Sequence, residues 1–406
     1  MNLNVYSEIG NLKKVMLHRP SKELENLAPE YLQELLFDDI PYLEKAQQEH
    51  DEFASILRNE GVEVVYLLDL LQQTLSSWEL KSEFLREFID MSEITNPYIS
   101  QALFDFFISM DTRDMIEKLI CGLRTEELDL KKDIFSVQVR KSKLNHPFFL
   151  DPLVNLYFQR DPVAVVGRGA TINRMNTPTR RRESMFMEYV LKYHPDFSRS
   201  PFYYSKDMPY SIEGGDILVL NRNTLAIGIS QRTEPEALEI IAKKVFYEYG
   251  DEFDTIIGVL IPSLRAFMHL DTVFTMVDYD KFVVHSKLEK NMKFFTIRKK
   301  EKDEFEIAEE TAPLNVVLEK YLKIKKVTLI KCGGSDDIAA SREQWNDGSN
   351  CLAIRPGEVV VYDRNRITNA ELNKYGIKTL EIPSSELSRG RGGPRCMSMP
   401  LIRENA

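Results

Sequence analysis

The chain has 406 residues, of which 43% are hydrophobic, enough for two or three domain-sized units or one large α/β domain. Its 53 basic and 63 acidic residues leave a formal charge of −10, which argues against a general nucleic-acid binder, since phosphate binding needs clustered Lys and Arg. Cysteines stand alone at 121, 332, 351 and 396, with no CxxC pair, which excludes a disulfide framework and a zinc site of the usual spacing.

The start carries no basic region followed by an apolar core, and the apolar stretch at 62–71 is short and broken by Asp69. A soluble cytoplasmic protein without a membrane or nucleic-acid partner is expected. In chain order, the first elements are a strand at 15–17, a helix across 42–58 and a strand at 62–67 after Gly61. Residues 72–130 lack β-rich runs and read as consecutive amphipathic helices. Trp78, Leu80, Phe84, Leu85 and Phe88 form one stripe, Thr112 starts a helix and Gly122 stops one.

From residue 163 onward one order recurs: strand, tight turn, strand, helix, strand. It runs through 163–166, 170–173, a helix at 180–193 and an extended 202–204. The next copy has strands at 217–220 and 224–229, a helix at 235–249 and a strand at 255–260. In that helix Leu238, Ile241, Val245 and Tyr249 share one face; Thr233 caps it and Gly250 ends it. A third copy uses 272–277, 282–285, a helix at 312–321 and 326–330, with extra residues between. A fourth uses 351–354, 359–362, a helix at 368–375 and 378–382. With the incomplete copy at the start, five units of one kind point to a closed repeat architecture rather than a doubly wound sheet. The extended run 397–402 is expected to pair beside 15–17 and supply the strand that the first unit lacks.

Acidic residues and histidine fall just before the first strand of successive units. Asp161 precedes Val163, Glu213-Gly214-Gly215-Asp216 precedes Ile217, and His269-Leu270-Asp271 precedes Thr272. If equivalent positions converge, they line a cavity suited to a planar guanidinium that donates paired hydrogen bonds. Near the C-terminus, Arg389-Gly390-Arg391-Gly392-Gly393-Pro394-Arg395-Cys396 is a glycine-rich loop that delivers Cys396 beside two arginines. That charge could favour a thiolate, while the carboxylates expected to converge near Cys396 favour a neutral thiol until a guanidinium binds. The other three cysteines and His18, His50, His146, His194 and His285 read as structural.

Taken with Asn155-Leu156-Tyr157-Phe158-Gln159-Arg160-Asp161, Arg180-Arg181-Arg182-Glu183 and Arg395-Cys396-Met397-Ser398-Met399-Pro400, these segments resemble the arginine deiminases. That family lies within the guanidino-group-modifying (pentein) superfamily, and the likeness runs over nearly the whole chain. It implies a five-unit pseudo-fivefold α/β propeller of ββαβ modules, formed by residues 1–71 and 151–406, with a helical insertion at 72–150. It implies hydrolysis of free L-arginine to L-citrulline and ammonia, without metal or other cofactor. Cys396 matches the nucleophile, His269 the general acid and base, Asp161 and Asp271 the carboxylates that grip the guanidinium, and Glu213 their support. Asn155, Arg180 and Arg232 match groups that bind the amino-acid end, Arg391 a mobile gating arginine, and Phe158 and Leu36 further substrate contacts. Leu36 lies in the run 35–39, which resembles a loop bordering the substrate. A homo-oligomer is expected. A methylarginine or agmatine hydrolase of the same superfamily, or a silent arginine-binding protein, are the other readings; a binder has no need of the thiol, and Arg180 and Arg232 suit a substrate that bears a carboxylate.

Overall fold

The computed structural model describes residues 3–130, 135, 147–262, 266–285, 292–301 and 303–405. His146 lies outside them. Five sheets share one plan: a first strand antiparallel to a second, which is parallel to a third. A parallel third strand cannot be reached by a tight turn, so each unit crosses over through a helix that covers the sheet. In the second unit, Val163–Val166 pairs antiparallel with Gly169–Ile172 and this in parallel with Phe202–Tyr204, after the helix Glu183–Tyr193. The third unit has Ile217–Val219, Thr224–Ile229 and Thr255–Leu260, with the helix Pro235–Lys243. The fourth has Phe274–Asp278, Lys281–Val284 and Thr328–Lys331, with Leu314–Leu322. The fifth has Leu352–Arg355, Glu358–Tyr362 and Lys378–Ile382, with Arg366–Lys374.

The first unit is completed from the far end of the chain. Leu12–Leu17 is parallel to Glu63–Tyr66 and antiparallel to Met399–Arg403, with Val15 opposite Pro400 and Met16 opposite Met399. The pairing expected for the C-terminal run is present, and it gives the first strand a neighbour on each side, leaving it no free edge.

Four details differ from the sequence reading. The extra residues of the 272–330 copy include Lys293–Lys299 and Phe305–Glu310, paired strands that join the third unit's sheet through Thr255–Leu260. The fourth unit's first strand begins at Phe274, not Thr272, because Leu270–Thr272 closes into a 3-10 turn in which the Thr272 hydroxyl donates to the His269 carbonyl. Thr233 does not cap the helix Pro235–Lys243; its hydroxyl is held by the buried Asp216 carboxylate, and proline at the first helical position already removes one orphan donor. Trp78 is 65% exposed. It opens the helix Trp78–Met91, and six residues at 3.6 per turn place it well off the face on which Phe84 and Phe88 meet Phe186 edge-on.

The helices Trp78–Met91, Pro97–Ile108 and Thr112–Cys121 do not carry a separate core. Phe84, Leu103, Phe107 and Leu119 share one apolar cluster with Val163, Phe186, Ile227 and Ile256. The helix Leu67–Thr74 runs across the expected boundary at residue 71. Among the described residues no helix is long and apolar enough to cross a membrane.

Leu401 sits in the same cluster at 1% exposure, on the closing strand. Leu401→Ala is expected to lower unfolding free energy by about 2–5 kcal/mol in denaturant titration. Removing residues 399–406 is expected to abolish soluble folding, since it opens the edge of the first sheet. A truncated chain with a native melting transition would contradict this account.

Candidate active site

The turns that lead into the first strands bring the predicted residues together. Asp161, Glu213, Asp216, His269, Asp271 and Cys396 are each at most 4% exposed. Two close approaches depend on glycine: a Cβ on Gly215 would fall 2.7 Å from the His269 ring, and one on Gly392 would fall 2.2 Å from Phe158. Phe158 itself is buried, with its ring 4.0 Å from that of Tyr157.

Around His269, Nε2 lies 2.8 Å from Glu213 Oε2 and Nδ1 lies 3.7 Å from Asp161 Oδ1. Burial alone would depress the imidazole, but the carboxylates of Asp161, Glu213 and Asp216 outweigh it and lift it from 6.5 to about 9. Glu213 shifts the other way, below the usual carboxylate range: Arg232 and His269 overcome its burial. The proton therefore resides on His269 at neutral pH. Asp161, Glu213 and His269 also present ligand atoms within 4.8 Å of one another, the spacing of a metal site. Ion pairs between the imidazole and the two carboxylates account for the cluster.

Cys396 is 3% exposed, with its thiol 3.4 Å from Asp271 Oδ2. Burial, then Asp271, Asp161 and Asp347, push the thiol well above its ordinary value, against a smaller opposing pull from Arg395. The expectation that flanking arginines favour a thiolate is overturned by their partners. Arg395 donates to Asp271 Oδ2 at 2.8 Å and to both oxygens of Glu8 at 3.0 Å, so its charge is spent. Arg391, in a left-handed conformation at φ 62°, is buried with its guanidinium 3.6 Å from the Trp345 ring centre and Nη1 3.6 Å from Asp38.

The remaining predicted residues stand around this centre. Arg180 is held by carboxylates: Nη1 donates to Asp161 Oδ2 at 2.8 Å and Nη2 to Glu183 Oε2 at 2.8 Å. Arg232 Nη1 lies 3.6 Å from Glu213 Oε1 and donates to Thr177. Asn155 donates to the Leu35 carbonyl at 2.7 Å, which anchors the loop where Leu36 takes φ 59°. Asp161 Oδ1 and Asp271 Oδ1 are buried without a hydrogen-bond partner among the described residues.

Sequence reasoning missed three residues, Glu8, Asp347 and Asn350, and gave Asp216 no role. Glu8 compensates Arg395 from the other end of the chain and is pulled down to about 2, the arginines outweighing its burial. Asp216, noted only for its position, accepts from Ser230, Thr233 and the Leu270 amide, while burial holds it up at about 6. Burial lifts Asp347 to about 7 despite Arg391, and its Oδ2 has no hydrogen-bond partner among the described residues. Asn350 touches Cys396 directly. It occupies the slot before the fifth unit's first strand, so the positional rule that drew attention to Asp161, Asp216 and Asp271 could have found it.

The arginine deiminase family model matches residues 33–403. The chain belongs to the arginine deiminase family. It is 52% identical to the arginine deiminase of Clostridium perfringens, over 99% of this chain and 98% of that one. The Staphylococcus haemolyticus arginine deiminase is 50% identical over the same shares. Solved structures of the pentein superfamily share the α/β fold at low identity. An amidinotransferase from Microseira wollei superposes with TM-score 0.55 at 14% identity, covering 100% of this chain and 98% of that one. A Pseudomonas aeruginosa DDAH complexed with citrulline gives 0.51 at 15%, covering 96% and 99%.

The raised His269 couples to stability in this family member. A group whose folded value lies above its unfolded one contributes stability that is complete below about 6.5 and lost as pH rises through about 9. Titration of His269 by NMR is expected to give a midpoint near 9, with thermal stability declining from pH 6.5 to 9. A midpoint below neutrality would refute the imidazolium.

Proposed function

We infer that this chain hydrolyses free L-arginine to L-citrulline and ammonia through a covalent adduct on Cys396. One observation carries the site reading: two buried carboxylates, Asp161 and Asp271, each keep an oxygen with no hydrogen-bond partner among the described residues, at a site that also holds a thiol and an imidazolium. An unsatisfied buried carboxylate oxygen is costly, and a guanidinium supplies the paired N–H donors that satisfy it.

A guanidinium carbon is a poor electrophile, so holding it in plane against the nucleophile supplies much of the rate. Its positive charge also stabilises the thiolate that the free site opposes, and the thiol proton leaves by way of Asp271. The thiolate adds to the guanidinium carbon, and His269 gives its proton to one amino group, which departs as ammonia. The S-alkylthiouronium left on Cys396 is attacked by water as neutral His269 takes a water proton. Collapse expels the sulfur and releases citrulline. Glu213 favours the imidazolium before the first step and again once His269 has taken the water proton. Every step is carried by protein groups, substrate and water, with no cofactor.

Arg232, Arg180 and Asn155 serve the α-carboxylate, with Phe158, Leu36 and Arg391 bordering the substrate. Arg180 now donates to Asp161 and Glu183, so the substrate guanidinium competes with it for Asp161. Two arginines at the amino-acid end favour arginine over agmatine, which has no carboxylate. The five sheets of one plan, completed by Met399–Arg403 beside Leu12–Leu17, support a five-unit pseudo-fivefold propeller of residues 1–71 and 151–406 with an insertion at 72–150. We also propose a cytoplasmic setting, which suits four unpaired thiols, and a homo-oligomer, to be read by sedimentation.

Cys396→Ser is expected to lose turnover by on the order of 10,000-fold or more while still binding arginine, since the carboxylate cradle stays intact. Quenched wild-type enzyme should carry the adduct on Cys396 in mass spectrometry; an adduct on Cys332 would overturn the assignment. Citrulline should form from arginine, and not at comparable rates from agmatine or dimethylarginine. Thiolate ultraviolet absorbance should rise when a non-hydrolysable arginine analogue binds. A full thiolate in the free enzyme at neutral pH would count against substrate-assisted ionisation.

A further inference from the structure

Asn350 meets the nucleophile at two points and Asp271 at a third. Its Nδ2 lies 3.1 Å from Cys396 Sγ and 3.2 Å from the Asp271 carbonyl, and its Oδ1 accepts from the Cys396 backbone N–H at 3.0 Å. These partners determine which way the amide faces: an oxygen must meet the N–H, and the nitrogen must meet the carbonyl and the sulfur. The side chain is 1% exposed, so no solvent replaces these bonds. It is held in place by its own N–H donating to the Asp347 carbonyl at 2.9 Å. The nucleophile loop is shaped to reach it, since a Cβ on Gly393 would fall 2.8 Å from the Asn350 Cβ.

The other group at the sulfur has the opposite character. Asp271 Oδ2, 3.4 Å away, can accept the thiol proton but repels a thiolate. Arg395, the nearby cation, is spent on Glu8 and Asp271. A donor at the sulfur is what an ionised Cys396 needs and what a neutral thiol hardly uses.

We propose that Asn350 is a further catalytic residue of the reaction assigned above, donating a hydrogen bond from Nδ2 to the Cys396 thiolate while its Oδ1 orients the cysteine for attack. The proposal rests on Cys396 being the nucleophile. As the thiol proton leaves, the contact to Asp271 turns repulsive and the contact to Asn350 becomes charge-assisted. The same bond favours expulsion of the thiolate when citrulline is released. The burial and surrounding carboxylates that hold the thiol up make a single well-aimed donor matter.

The two halves of the amide separate structure from chemistry. Asn350→Asp keeps an acceptor for the Cys396 N–H and replaces the donor by a like charge. It is expected to fold with a lowered but cooperative melting transition, to lose about 10–100-fold in kcat near neutral pH, and to change KM by less than about threefold. Part of the loss should return at lower pH, where the introduced carboxyl is protonated and can donate. The pH profile of inactivation by 2-chloroacetamidine, a small amidinium alkylating agent, should move up by about one pH unit, as expected when a stabiliser of the thiolate is lost. Should that variant not fold, Asn350→Ala is expected to move the inactivation profile in the same direction. Mass spectrometry of the alkylated wild type separates the two readings. Alkylation away from Cys396 overturns the nucleophile assignment and this proposal with it. Alkylation on Cys396, with kcat and inactivation profiles unchanged in the variants, overturns the proposal alone.

Discussion

Everything at the centre of this protein depends on compensating buried charge. Asp161, Glu183, Glu213, Asp271 and Glu8 are all withdrawn from water, and a carboxylate in such surroundings is tolerated only beside a cation or donor. The structure meets that demand in linked sets: Glu8 and Asp271 on Arg395, Asp161 and Glu183 on Arg180, Glu213 on His269. What these pairs leave over defines the chemistry. One oxygen each of Asp161 and Asp271 has no hydrogen-bond partner among the described residues, and both carboxylates disfavour ionisation of the Cys396 thiol. A site that disfavours its own nucleophile until a cation arrives ties reactivity to occupancy, which limits wasteful alkylation of the thiol.

The fold makes such a concentration of charge possible by repetition. Each unit presents the turn before its first strand, and that turn carries Asp161, Asp216, Asp271, Asn350 or Cys396. The fifth of these exists only because Met399–Arg403 returns to pair with Leu12–Leu17. Strand pairing at the chain ends and delivery of Cys396 are thus one event. Glu8, near the other end, enters the same network through Arg395, from 387 residues away in sequence.

Much of the architecture was legible in the chain itself, because it rests on local signals. The alternation of short apolar runs, turn residues and helical periodicity located the units at 163–204, 217–260 and 351–382, and the lack of a strand in the first unit pointed to the C-terminal run. Where local signals misled, the reasons differ: Thr233 carries a capping residue's chemistry but serves its tertiary partner Asp216, whereas Trp78 simply lies off the face that its neighbours bury. The hairpin Lys293–Lys299 with Phe305–Glu310 was illegible because an edge hairpin is defined by the strand it joins, not by its own pattern.

The sequence by itself determined the repeated plan, the residue types available for guanidinium chemistry, and the family, because motif order and strand periodicity are properties of the linear chain. Only the tertiary structure decided how the charges are shared. Arginines that flank Cys396 in sequence looked like activators of the thiol; in space Arg395 belongs to Glu8 and Asp271, and Arg391 lies over Trp345. Asn350, which only its position before a first strand could have marked, touches the nucleophile, and Asp347 weighs on its charge. Electrostatic pairing falls off with distance through space and takes no account of distance along the chain, so which carboxylates share Arg395 and which hold the proton on His269 could be read only once the units had been brought together.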